Sequence, residues 1–188
     1  MRGMEQDVES ILLDQDDLNE ICDRLARQIT ETYRDSGRTL IFVTILKGSM
    51  FFAADLIARI PLECEIEFMK VSSYGASTET SGTLQIHLDL KRDVKDADVV
   101  VIEDIIDSGR TLDHLSRILG DRGAHSVRCC TLLDKPERRQ VAFTADYVGA
   151  VIPDAFVIGY GLDYAEKYRN LPYVGILKPS VYSKSDEF

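Results

Sequence analysis

The chain has 188 residues, 45% of them hydrophobic and 29% charged, enough for one domain whose core needs neither disulfides nor a structural metal. A net charge of −10 argues against a general nucleic-acid-binding surface, and no apolar run approaches the roughly 20 residues that span a bilayer. Met1 to Asp7 is followed at once by acids and lacks a signal peptide's apolar core, so a cytoplasmic protein without membrane partners is expected.

Asp17-Leu18-Asn19-Glu20 reads as a capping box with Asp17 as N-cap. Leu18, Ile21, Cys22, Leu25, Ile29 and Tyr33 then follow helical spacing until Gly37. Thr39 to Leu46 is β-branched and apolar almost throughout, the pattern of a central parallel strand buried on both faces. Lys47-Gly48 makes a turn, and Ser49 to Arg59 predicts a helix that stops before Pro61. Glu63 to Val71 alternates acids with Cys64, Ile66 and Phe68, as a half-buried strand does. Ser72 to Thr83 is polar, and Leu84, Ile86, Leu88 and Leu90 alternate after it. The segment therefore reads as a loop between antiparallel strands, long enough for a functional flap.

Val99 to Ile102 predicts the next buried strand, and Thr111 to Leu119 a helix with Leu112, Leu115, Ile118 and Leu119 on one face. Ser126 to Leu133 is strand-like and finishes at Asp134-Lys135-Pro136. Phe143 to Val148 and Ala155 to Gly159 are shorter strand candidates with Pro153-Asp154 turning between them. Cys129 and Cys130 are strand neighbours that point to opposite faces, and His87, His114 and His125 lack zinc spacing. The four cysteines are therefore read as reduced and structural.

Strands alternating with helices imply right-handed crossovers and a parallel sheet covered on both faces. Ligands of such sheets collect beyond the carboxyl ends of the strands. Three polar turns follow buried strands there: Lys47-Gly48, Glu103 to Thr111, and Asp134-Lys135. In Asp107-Ser108-Gly109-Arg110-Thr111, Gly109 permits a tight turn, and the N–H groups leading into a helix can surround a phosphate. A plain turn with Thr111 as N-cap is the alternative. Glu103-Asp104 closes an apolar strand, where ribose hydroxyls or a hydrated Mg²⁺ are natural partners. Walker A is absent, and Gly159-Tyr160-Gly161 is only a fragment of a dinucleotide motif.

Glu103 to Thr111 resembles the 5-phosphoribosyl-1-pyrophosphate (PRPP) motif of type I phosphoribosyltransferases, and more narrowly that of the hypoxanthine(-guanine) branch. Leu46 to Ser49, Ser72 to Gly75, Leu132 to Lys135 and Pro153 to Tyr164 agree in order, so the resemblance covers roughly residues 10 to 180. It implies an α/β fold with a twisted parallel sheet flanked by helices. Residues 1–188 would form one domain, with a core at about 36–150 and a small hood from the N-terminal segment and about 151–188.

The same resemblance implies the site residues. Glu103 and Asp104 would face the ribose hydroxyls, and Asp107 would handle a proton near purine N7. Ser108, Gly109, Thr111 and Leu112 would hold the 5′-phosphate, with Arg110 adding a contact or facing solvent. Lys135 would contact the 6-oxo group as the second catalytic residue. Phe156 would stack on the base, Val157 would read its edge, and Ile105 and Asp163 would complete the purine pocket. Lys47, Gly48 and Arg169 would contact pyrophosphate, and a cis peptide before Lys47 is common in the family. Ser73 and Tyr74 would lie on a closing flap, and Glu103, Asp104 and Asp163 would be the Mg²⁺ carboxylates. The implied activity transfers phosphoribose from PRPP to hypoxanthine and guanine, in a homodimer or homotetramer without nucleic acid. Two alternatives share the motifs: a PRPP-sensing regulator that binds nucleic acid, and a transferase for xanthine or a pyrimidine.

Overall fold

Strand β2 (Leu40–Ile45) is buried at all six positions, which its unbroken apolar, β-branched sequence requires. In the computed structural model, which describes residues 3–73 and 84–183, it stands inside a six-stranded sheet. Its companions are β3 (Glu65–Ser73), β4 (Leu84–Leu88), β5 (Asp98–Ile106), β6 (Ser126–Asp134) and β7 (Tyr147–Val151), in the order β4-β3-β2-β5-β6-β7. All pairings are parallel except β3–β4, which run antiparallel as their alternating patterns predict.

Successive residues of β2 enter different cores. Leu40 and Phe42 join the side chains of α1 (Gln15–Tyr33) and α2 (Met50–Ile57), whereas Ile41, Val43 and Ile45 join those of α3 (Arg110–Asp121). Cys130 and Cys129 divide the same way, so neighbouring thiols are separated by the sheet. Burial raises the pKa of both, which keeps them protonated and inert.

A second sheet, with order β1-β9-β8, is antiparallel and joins both ends of the chain: β1 (Val8–Leu13), β8 (Val157–Ile158) and β9 (Val174–Leu177). The residues expected as a strand from Ala155 to Gly159 thus pair outside the main sheet. Those expected from Phe143 to Val148 enter it only at Tyr147. Helix α1 begins earlier than expected: Asp14, not Asp17, is the N-cap, and Asp17 supplies the reciprocal carboxylate to the Asp14 backbone N–H at 3.0 Å. Helix α4 (Pro179–Tyr182) closes the described residues, among which no helix is long and apolar enough to cross a membrane.

Candidate active site

Because β2, β5 and β6 are parallel neighbours, the turns that leave them fall along one sheet edge. The middle turn is set by Gly109, whose φ of +79° makes it the N-cap of α3 in place of Thr111. Arg110 N–H donates to Ser108 Oγ at 3.3 Å, while the Arg110 side chain is exposed and lies outside the cleft that the turn encloses. That cleft, about 180 Å³, is lined by Glu103, Ile105, Ile106, Asp107, Ser108, Gly109, Thr111 and Leu112. With free N–H groups at the start of a helix, it has the shape and polarity to take a phosphate monoester.

A second cavity, about 240 Å³, opens beside it between Asp104, Ile105, Asp107, Lys135, Arg138, Phe156, Val157, Leu162 and Asp163. Ile105 and Asp107 line both spaces and form the partition between them. Buried Lys135 enters from the end of β6, its Nζ donating to the Ala155 carbonyl at 2.7 Å and lying 3.8 Å from Asp107 Oδ1. Asp107 Oδ1 is buried with no hydrogen-bond partner, an acceptor awaiting a donor. Phe156, only partly covered, stacks on Tyr182 with centroids 5.2 Å apart and meets Tyr164 edge-on at 5.4 Å. The Val157 side chain is buried and joins the core cluster shared with α1 and α2.

On the other side of Asp104 lie two glycines. The Leu46–Lys47 peptide is cis, and Gly48 sits so close to Asp104 that an added Cβ would come 1.5 Å from Oδ2. Gly161, at φ +104°, leaves only 1.9 Å between its own hypothetical Cβ and the Gly48 carbonyl oxygen. The Gly161 carbonyl accepts from Arg169 Nη1 at 2.7 Å. Arg169 also pairs with Asp163 at 2.8 Å and Glu166 at 3.3 Å, and Lys47 Nζ meets Glu166 at 2.7 Å. That hydrogen bond from Lys47 holds the Glu166 carboxyl below the usual range.

Glu103 and Asp104 do not share that relief. Loss of water, followed by the Asp104 charge, raises Glu103 well above the usual glutamate range; desolvation also raises Asp104, although Ile105 N–H donates to it at 2.8 Å. Two adjacent, poorly hydrated carboxylates suit a divalent cation. Among the described residues no three His, Cys, Asp or Glu side chains gather as a ligand set. Asp163 is committed to Arg169 and, through Oδ2, to the Glu166 N–H at 2.8 Å.

The predicted site residues with described side chains therefore lie along this edge, and Arg110, in the same turn, is exposed and does not line the cleft. Ser73 ends β3, and Tyr74 with the remainder of the expected flap lies outside the described residues. Four residues that sequence reasoning did not single out belong here: Arg138, Arg139, Asp154 and Glu166. Arg139 contacts the Asp134 carboxylate and donates to the Asp107 carbonyl at 3.0 Å, so it braces the turn from behind. The adjacent basic pair Arg138-Arg139, one residue beyond Lys135-Pro136, was the only trace of this in the sequence.

A phosphoribosyl transferase domain is found at residues 10–165. The chain is 51% identical, over 97% of its length, to the bifunctional protein TilS/HprT of Listeria innocua, of which it spans only 28%. It is 50% identical over 96% of its length to all of a hypoxanthine-guanine phosphoribosyltransferase of Staphylococcus epidermidis. Among solved structures, a hypoxanthine phosphoribosyltransferase of Staphylococcus aureus is similar at TM-score 0.91 and 48% identity, covering 97% of this chain and 98% of that one. A ternary substrate complex of a Trypanosoma cruzi hypoxanthine phosphoribosyltransferase variant is similar at TM-score 0.90 and 37% identity, covering 94% and 99% respectively.

Proposed function

Since the chain belongs to the phosphoribosyl transferase domain family, we propose that it salvages 6-oxopurines, transferring phosphoribose from PRPP to hypoxanthine, and to guanine, with release of pyrophosphate. One observation carries the reading: the phosphate-sized cleft and the base-sized cavity share Asp107 and Ile105 as a common wall. A ribose bound between them sets its 5′-phosphate against Ser108 to Leu112 and its C1 beside the base. Attack by a purine nitrogen at C1 builds positive charge on the ribose ring, which the carboxylates of Glu103, Asp104 and Asp107 stabilise. Asp107, with a buried oxygen lacking a donor, accepts the proton from the purine N7 side.

Lys135 contributes a donor to the 6-oxo group. An amino group there would turn its hydrogens toward a like donor, so adenine is disfavoured. Phe156 packs on the base face, while Val157 and Asp163 border its edge. Lys47, the Gly48 backbone and Arg169 receive the leaving pyrophosphate. Glu103 and Asp104, with Asp163, would hold Mg²⁺, which would supply charge neutralisation to the pyrophosphate; Mg²⁺ commonly takes one or two protein carboxylates and completes its shell with water and substrate phosphate.

The β1-β9-β8 sheet together with the 151–183 segment serves as a hood over the base, and residues 36–150 as the catalytic core. We place the enzyme in the cytoplasm as a homodimer or homotetramer. Ile66 and Phe68 of β3 remain 49% and 44% exposed, as do Met50 and Phe51 of α2 at 47% and 39%, apolar surface that self-association would cover. Sedimentation velocity decides the oligomer.

The activity is tested by incubating pure protein with PRPP, Mg²⁺ and each of hypoxanthine, guanine, xanthine, adenine and uracil, following nucleotide formation. IMP and GMP are expected. No nucleotide from hypoxanthine across varied pH and metal would overturn the assignment. Salt-dependent nucleic-acid binding without turnover would favour a regulator instead.

A further inference from the structure

Lys135 is not the only cation of the base cavity. Arg138, the last residue of a one-turn 3-10 helix at Pro136–Arg138, also lines it. Its Nη1 lies 3.7 Å from Asp107 Oδ2 and its Nε 3.5 Å from Asp154 Oδ1. Lys135 Nζ stands 3.8 Å from Asp107 Oδ1 and 3.8 Å from Asp154 Oδ1. Two carboxylates, Asp107 in the cavity wall and Asp154 in the turn before Phe156, thus face the same two cations, and each oxygen of Asp107 faces a different one. Asp107 comes from the end of β5, Asp154 from the turn just before Phe156.

We infer that Arg138 is a positioning residue of the purine site: it steadies the Asp107 carboxylate from the side opposite Lys135 and, through Asp154, ties the end of β6 to the segment bearing Phe156. The inference rests on the purine-salvage reading above. A 6-oxopurine that accepts from Lys135 draws that ammonium away from the centre of the four charges, and Arg138 is then the cation left facing Asp107. The two nitrogens it uses are separate points of a rigid, planar fork, so the guanidinium meets each carboxylate with its own nitrogen, whereas Lys135 faces both with a single ammonium. Neighbouring Arg139 acts on the same residue from behind, through the Asp107 carbonyl. Backbone and carboxylate of Asp107 are thereby held by consecutive arginines.

The bland account is a surface ion pair, since the Arg138 side chain is 52% exposed. Such a pair adds little to stability and nothing to substrate selectivity. Steady-state kinetics on the full chain separate the two. Arg138→Ala is expected to raise the KM for hypoxanthine about tenfold, the loss typical of one charge-assisted contact, while the KM for PRPP stays within about twofold and the melting temperature is unchanged. Arg138→Lys should recover part of the loss. Asp154→Asn should reproduce the direction of the change, with the double variant falling short of the product of the two. IMP binding by calorimetry should weaken in parallel. An active wild type whose Arg138→Ala variant keeps its hypoxanthine KM, or loses hypoxanthine and PRPP equally, overturns this inference alone. A wild type that neither makes nucleotide nor binds IMP overturns it together with the purine-salvage reading.

Discussion

Replacing Gly161 by alanine should cost stability, whereas the same change at Gly48 should cost activity, because the two new methyl groups meet different kinds of neighbour. At Gly161 the Cβ would fall 1.9 Å from the Gly48 carbonyl oxygen, and backbone has to open by about 1 Å to clear it. The φ of +104° adds strain of about 1–3 kcal/mol for any residue with a side chain. Opening the contact also loosens the 2.7 Å bond from Arg169 to the Gly161 carbonyl, at a cost of about 1 kcal/mol. Together these give about 2–4 kcal/mol, and for a chain of this size a melting temperature lower by about 4–16 °C.

At Gly48 the Cβ would fall 1.5 Å from Asp104 Oδ2, the end of a side chain that can swing aside. The fold then loses about 1 kcal/mol at most, but Asp104 leaves its place in the wall of the base cavity, and a displacement of that order costs about 100-fold in rate. Differential scanning calorimetry and PRPP-dependent initial rates on both variants provide the assay. A Gly161→Ala protein that melts within about 2 °C of wild type, or a Gly48→Ala protein with unaltered kcat/KM for PRPP, would refute the close approach of these three residues.

Other outcomes follow from the same edge. Glu103 is raised by burial and by Asp104, so the ligand-free fold retains a proton that the unfolded chain has already released. Its contribution is fully present below the ordinary glutamate pKa and is lost as pH rises through the raised value. Urea midpoints recorded from about pH 4 to 9 should fall more steeply for wild type than for Glu103→Gln, and parallel curves would contradict the burial of that charge. Asp107→Asn should lower kcat by about 10²–10⁴-fold while PRPP affinity changes little; equal losses in both would argue against proton handling. Glu166→Gln frees Lys47 and Arg169 from an internal carboxylate, so pyrophosphate measured by calorimetry should bind about two- to fivefold tighter, and weaker binding would instead make Glu166 a support for those cations.

Local chemistry made much of this protein legible in advance. The unbroken apolar runs around Phe42, Val100 and Leu132 are what strands covered on both faces need, and parallel pairing then forces their exits onto one edge. Glycine before a helical pattern, with hydroxyls on either side, announced the cleft at Ser108 to Leu112. Less visible was the sheet joining the chain ends. Strand β1 is exposed at Glu9, Ser10 and Ile11, so no alternation marks it, and its partner β9 lies more than 160 residues away. The Asp14 cap was missed because Asp14 and Asp17 each satisfy the other's backbone, and either can be taken for the first.

What the sequence determined by itself is the order of elements and the identity of the groups that end each strand, since hydrophobic period and turn chemistry act over a few residues. Only the tertiary structure decided which of those groups face one another. Arg138 and Glu166 lie in polar, aperiodic stretches, where nothing local distinguishes a solvated charge from one turned toward a site. Asp107 acquires Arg138 and Lys135, and Lys47 acquires Glu166, across 31, 28 and 119 residues of chain, through packing that no short pattern encodes.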